Sequence, residues 1–177
     1  ALTRGGRYAE AARTYVQVLR EDPDWPSARN ELQAVGQRGV DRLLDEAEAA
    51  AADDAYEAAV DTLDTLDALR EAAASVGVDL TVPADYSAFR NETVRAAADQ
   101  LIAIGRQAEE AGSWRGAIDA YERARRYVQQ EARLVMLDTA QARTSLQWAA
   151  DDMDRQHYRA AHERAALDGF VGDDVQL

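Results

Sequence analysis

With 177 residues and no cysteine, the chain has room for one sizeable core but for no disulfide, thiolate metal site or cysteine nucleophile. Its formal net charge is −13, and all 20 basic residues are Arg, so nucleic acid and anionic membrane surfaces, which attract cations, would repel it. Apolar residues make up 47% but aromatics only 7%, and 38 alanines with three prolines leave long tracts of helix formers without alternating strand patterns. The predicted class is all-α.

In chain order, helices are expected near 5–22, 27–52, 54–74, 86–111, 113–128, 131–153 and 155–168, seven in all. The first carries "GRYAEAARTYVQVLREDP", with Ala11, Tyr15 and Val18 spaced four and three apart on one helical face. The stretch 27–52 is amphipathic, striped by Leu32, Val35, Leu43, Ala47 and Ala50. From Asp53, "DDAYEAAVDT" repeats the opening pattern faintly, with Ala58 and Thr62 in register and its aromatic displaced to Tyr56. "SVGVDLTVPADYS", Ser75 to Ser87, breaks the rhythm. Gly77 should stop one helix, and Pro83 with Asp85 should start the next. Between them, Val76, Val78, Leu80 and Val82 should pack inward from a connector of about ten residues that either merely links helices or touches a partner.

The helix over 86–111 is striped by Val94, Ala97, Leu101, Ile104 and Ala108, and the fullest copy follows it as "GSWRGAIDAYERARRYV". There Gly112 stands over Gly6, Trp114 over Tyr8, Ala117 over Ala11, Tyr121 over Tyr15 and Ala124 over Val18. The glycine should end a preceding helix, the aromatic plug the turn, and the small alanine let two helices approach closely. Val135, Ala142, Leu146, Ala149 and Met153 stripe 131–153, and "QHYRAAHERA" from Gln156 places Tyr158, Ala161 and Ala165 in a last copy. Ala11, Ala58, Ala117 and Ala161 are therefore each expected at a tight helix–helix contact.

Leu101, Ile104, Gly105, Ala108, Gly112, Trp114, Ala117, Ile118, Tyr121 and Ala124 together resemble a full tetratricopeptide repeat, and "EDPDWPSA" is similar to that family's turn between repeats. The resemblance implies a right-handed α-α superhelix of antiparallel helix pairs, a tetratricopeptide-like solenoid. It would fill 1–177 as one domain, with copies near 6–28, 29–74, 87–130 and 131–170. The copies are spaced more widely than the family's unit of about 34 residues. Because the chain opens on Ala with its first motif nearly at once, it is expected to be a piece of a longer protein.

No phosphate-binding glycine loop, zinc signature or nucleophile elbow occurs. His157 and His162, five apart, fall off a common helical face, and the many acids read as solvated surface. The expectation is a non-enzyme without cofactor or metal. The family resemblance implies a protein-interaction scaffold whose concave face takes a peptide or protein partner. Asp99, Ile102, Arg106 and Glu109 would line that groove from one helix, and Arg143, Leu146 and Met153 from the last. Lys is absent and Asn is limited to Asn30 and Asn91, so the carboxylate clamp of the family's chaperone-binding members is not expected. A second candidate surface is the one basic island, Arg115, Arg123, Arg125 and Arg126 with Arg133, suited to an acidic partner or else paired with neighbouring acids. An assembly component of the cell envelope, lipoprotein-like, and a regulatory arm of a larger enzyme are the alternatives. No transmembrane segment is expected, and cytoplasmic and envelope locations both stay open.

Two causes account for the charge: adaptation to high salt, or a GC-rich genome that disfavours Lys codons. They part in a salt titration, because the Debye length shrinks to about 3 Å at 1 M salt and relieves repulsion among carboxylates. Under the first cause the melting temperature climbs steeply from low salt to molar KCl. A flat profile favours the second.

Overall fold

The computed structural model describes residues 4–154, which form six helices packed in sequential antiparallel pairs: α1 Arg4–Glu21, α2 Pro26–Ala52, α3 Tyr56–Ala74, α4 Tyr86–Glu110, α5 Trp114–Arg125 and α6 Glu131–Asp154. Each expected helix within this range is present, with its ends within three residues of expectation. The seventh, 155–168, with Tyr158, Ala161, Ala165, His157 and His162, lies outside the described residues. None of the described helices is long and apolar enough to cross a membrane. Packing divides the chain into two compact units, one running through Val94 and the other from Arg95, so the boundary falls within α4.

In the first unit α2 packs against both α1 and α3, and α1 also meets α3. Close approach is made possible by Gly39 of α2, where an added Cβ would come within 2.9 Å of a Leu69 methyl and 3.3 Å of the Tyr8 Cβ. The core consists of Ala9, Ala12, Val16 and Leu19 from α1, Leu32, Val40 and Leu43 from α2, and Leu63, Leu66 and Leu69 from α3. From the connector, Val78 and Leu80 are buried and Val76 and Val82 pack partly against the same core, as the sequence suggested.

A buried triad with four-then-three spacing recurs on three helices: Ala12, Val16 and Leu19; Ala59, Leu63 and Leu66; Ala117, Tyr121 and Ala124. The last is the register expected from the sequence. On α1 and α3 the buried face is turned by one residue, so Ala11 and Ala58 are exposed rather than at helix contacts. On α3 the preceding turn accounts for the shift. Asp54 (φ 57°) stands before Ala55 and Tyr56 as Gly112 (φ 68°) stands before Ser113 and Trp114. The hydrogen bonds agree as well, with Ala55 N–H to the Ala50 carbonyl and Ser113 N–H to the Ala108 carbonyl, each 2.8 Å. Asp54 therefore fills the left-handed position that Gly112 fills, which Asp tolerates better than most residues. Tyr56 then matches Trp114 directly and is not displaced. Gly6 ends no helix in the described chain; it lies inside the first turns of α1.

In the second unit Gly105 of α4 receives the flat ring of Tyr121 from α5, and any Cβ there would overlap the ring. Ala117 and Ala124 are fully buried around this contact. The stripes expected on α4 and α6 are only partly correct. Ile104, Val135, Leu146 and Met153 are each more than 40% exposed, while Ile102, Leu137, Thr144 and Ala149 are buried. α6 turns Leu137 and Thr144 inward because it packs on α4 as well as on α5. The register separates two substitutions. Ala117→Leu should overpack the α4–α5 contact and cost about 1–3 kcal/mol in thermal melts. Ala11→Leu, on an exposed face, should change stability by less than about 0.5 kcal/mol.

Candidate binding cleft

Asp99, Ile102, Arg106 and Glu109 are spaced three, four and three apart, so one face of α4 carries all of them. In the second unit that face meets α6. Arg133 pairs with Asp99, and Arg143 Nη2 reaches the Glu109 carboxylate at 2.7 Å. Ten residues along α4 thus correspond to ten along α6 in the same direction, so the two helices run parallel at an offset of 34 residues. α5 runs antiparallel to both. Its start touches the end of α6, with Trp114 Nε1 3.4 Å from Asp151, and its end touches the start of α6 through Arg125 and Asp138.

Between the two ion pairs, α4 and α6 leave a cleft of about 320 Å³ lined by Ile102, Arg106, Tyr121, Met136, Leu137, Thr139, Ala140 and Arg143. Ile102, Leu137 and Tyr121 make its apolar floor. Arg106 and Arg143 supply two cations. Arg143 is held by Glu109, whereas Arg106 makes no ion pair among the described residues.

The end of the cleft at Glu109 is polar and tightly built. Burial resists ionisation of Glu109, but hydrogen bonds from the fully buried Thr144 hydroxyl and from Arg143 outweigh it and hold the carboxyl below its ordinary value. The Tyr121 hydroxyl is buried beside this carboxylate, yet no hydrogen bond of ordinary geometry reaches it. Burial and the neighbouring Glu109 charge push the Tyr121 pKa up to about 12. The phenol stays protonated at physiological pH, its hydroxyl buried beside Glu109.

Of the groove residues named from sequence, Ile102, Arg106 and Arg143 line the cleft, and Asp99 and Glu109 stand in the ion pairs that flank it. Leu146 and Met153 are exposed farther along α6, away from the lining. Met136, Leu137, Ala140 and Thr144 escaped notice. Advancing Ile102 and Arg106 by 34 positions would have found Met136 and Ala140, but the buried copies are spaced more widely and hid that offset.

Arg115 lies exposed in the first turn of α5, while Arg123 and Arg125 occupy its last turn and Arg126 its C-cap. Three cations there complement the negative end of the helix dipole. Arg125 is paired with Asp138 and Arg133 with Asp99, so neighbouring acids already neutralise part of the island.

Comparison with protein-family models, with curated proteins and with solved structures gave no match for this chain.

A group with a lowered folded-state pKa contributes stability that is present above its ordinary pKa and is lost as pH falls through the folded value. Glu109→Gln should therefore cost about 1.5–3 kcal/mol at neutral pH, the range for hydrogen bonds to a charged group. The gap to the parent chain should close as pH drops below the ordinary carboxyl value of 4.5. Thermal melts of both chains across that range measure it.

Proposed function

We propose that the chain is a protein-interaction module of the tetratricopeptide-like kind, a right-handed stack of helix pairs that binds a partner and performs no chemistry of its own. The cleft between α4 and α6 receives an extended peptide segment. The observation that carries this proposal is the parallel register of α4 and α6 at an offset of 34 residues. That offset equals the family's unit of about 34 residues, and it puts like faces of successive first helices side by side over the intervening one.

Lining chemistry narrows the ligand. An apolar floor of Ile102, Leu137 and Tyr121 suits one aliphatic or aromatic side chain, and Arg106, which makes no ion pair among the described residues, suits a carboxylate next to it. A guanidinium grips such a group with two parallel hydrogen bonds, which fixes orientation as well as adding affinity. On an acid-rich chain this local cation also sets the charge that a partner must carry.

A displayed random-peptide library selected on the chain tests the proposal. Enriched peptides should pair an acidic residue with an apolar one and lose at least tenfold in affinity for Arg106→Ala. An Arg123/Arg125/Arg126→Ala triple variant should bind them unchanged. Peptides that ignore Arg106 but need the triple would move recognition to the α5 end. Peptides that ignore both variants would remove both surfaces.

A further inference from the structure

In the first unit the connector between α3 and α4 lies along α2 in the way that a bound peptide lies along a receptor. Side chains from Val78 to Val82 alternate, with Val78 and Leu80 buried and Asp79 and Thr81 exposed. Three successive carbonyls are each met by a side-chain donor. Gln33 Nε2 donates to the Asp79 carbonyl at 3.0 Å, Arg70 Nε to that of Leu80 at 3.3 Å, and Gln37 Nε2 to that of Thr81 at 3.0 Å. Gln37 Oε1 also accepts the Thr81 N–H at 3.0 Å, so one amide takes both main-chain polar atoms of a single residue. The spacing suits the task. One helical turn from Gln33 to Gln37 rises about 6 Å, close to the roughly 6.6 Å that two extended residues advance.

Leu80 seats its methyls over Gly36, where an added Cβ would come within 2.9 Å of them. Both ends of the connector are fastened without help from this contact. Gly77 (φ 74°) turns the chain out of α3, with the Val78 N–H bonded to the Ala73 carbonyl at 3.0 Å. At the other end Tyr86 donates to Asp67 at 2.8 Å, and Arg90 binds Asp67 at 2.7 Å and Asp64 at 2.5 Å. The stretch between these anchors can leave α2 while α3 and α4 stay joined.

We infer that Gln33, Gly36, Gln37 and Arg70 form a peptide-reading site, filled in the resting chain by its own Val78–Val82 segment. The ligand class is an extended partner segment with aliphatic side chains at the places of Val78 and Leu80. Recognition is mainly through main-chain atoms, as in strand addition, so only the two buried aliphatic positions are strongly specified. A tethered segment competes at an effective concentration of about millimolar, so binding in trans waits on release of the connector. The site is independent of the α4–α6 cleft, and either can fail alone.

The test uses the whole chain with residues 78–82 replaced by a Gly/Ser linker of equal length, Gly77 and Pro83 being kept. The probe is a fluorescein-labelled peptide of residues 77–83. Anisotropy should show binding to the linker chain and at least tenfold weaker binding to the intact chain. A peptide carrying Leu80→Asp, or a linker chain carrying Gly36→Ala, should also bind at least tenfold more weakly. If circular dichroism shows the linker chain unfolded, the peptide must restore its helicity and melting transition. A folded linker chain that ignores the peptide, or an unfolded one that it fails to restore, overturns the inference. Equal binding of the Leu80→Asp peptide, or of the probe to the intact chain, overturns it too.

Discussion

Everything in this molecule depends on helices that approach closely over residues with little or no side chain. With aromatics scarce and alanine abundant, the core cannot rely on bulk and gains its contacts from proximity. Gly39 lets α1 and α3 both reach α2, Gly36 makes room for Leu80, and Gly105 takes the ring of Tyr121. Ala12, Ala59 and Ala117 hold the same place in three buried triads. At each of the three glycines an added Cβ would come within 3.0 Å of a neighbouring side chain.

Polar ties between helices rest on arginine. Arg90 binds two carboxylates of α3, and on α6 Arg133 and Arg143 pair with Asp99 and Glu109 of α4. In a chain with 33 acidic residues and no lysine, acids are plentiful partners, and the planar guanidinium engages them with defined geometry. Exposed pairs of this kind contribute little stability singly, about 0–1 kcal/mol. Their use here is to set register. Asp99 with Arg133 and Glu109 with Arg143 align α4 and α6 and leave the cleft between them.

The two candidate recognition surfaces use different chemistry. The cleft of the second unit offers an apolar floor and Arg106, which makes no ion pair among the described residues, and together they favour an acidic, apolar ligand. In the first unit α2 offers two amides and α3 a guanidinium to a peptide main chain, and the chain's own connector occupies the place. One surface discriminates by charge and the other by shape at two buried aliphatic positions.

The sequence by itself determined the all-α class, the placement of six helices, the inward-facing valines and leucine of the connector, and the register of Ala117, Tyr121 and Ala124. Local signals carry all of these: helix formers in long tracts, punctuation at Gly77, Pro83 and Gly112, and one strongly amphipathic repeat. It misplaced the buried faces of α1 and α3 by one residue, because neighbouring alanines such as Ala11 and Ala12 are equally small and either could meet a helix. Only packing against α2 chose between them. Tertiary structure likewise gave Asp54 the left-handed turn that Gly112 holds in the fullest copy, and it turned Leu137 and Thr144 rather than Leu146 and Met153 inward. The cleft of α4 and α6, and the amides of Gln33 and Gln37 on the connector, join residues 34 to 46 positions apart. No helical period reaches that far, so the meeting of these side chains was decided by how the helices pack.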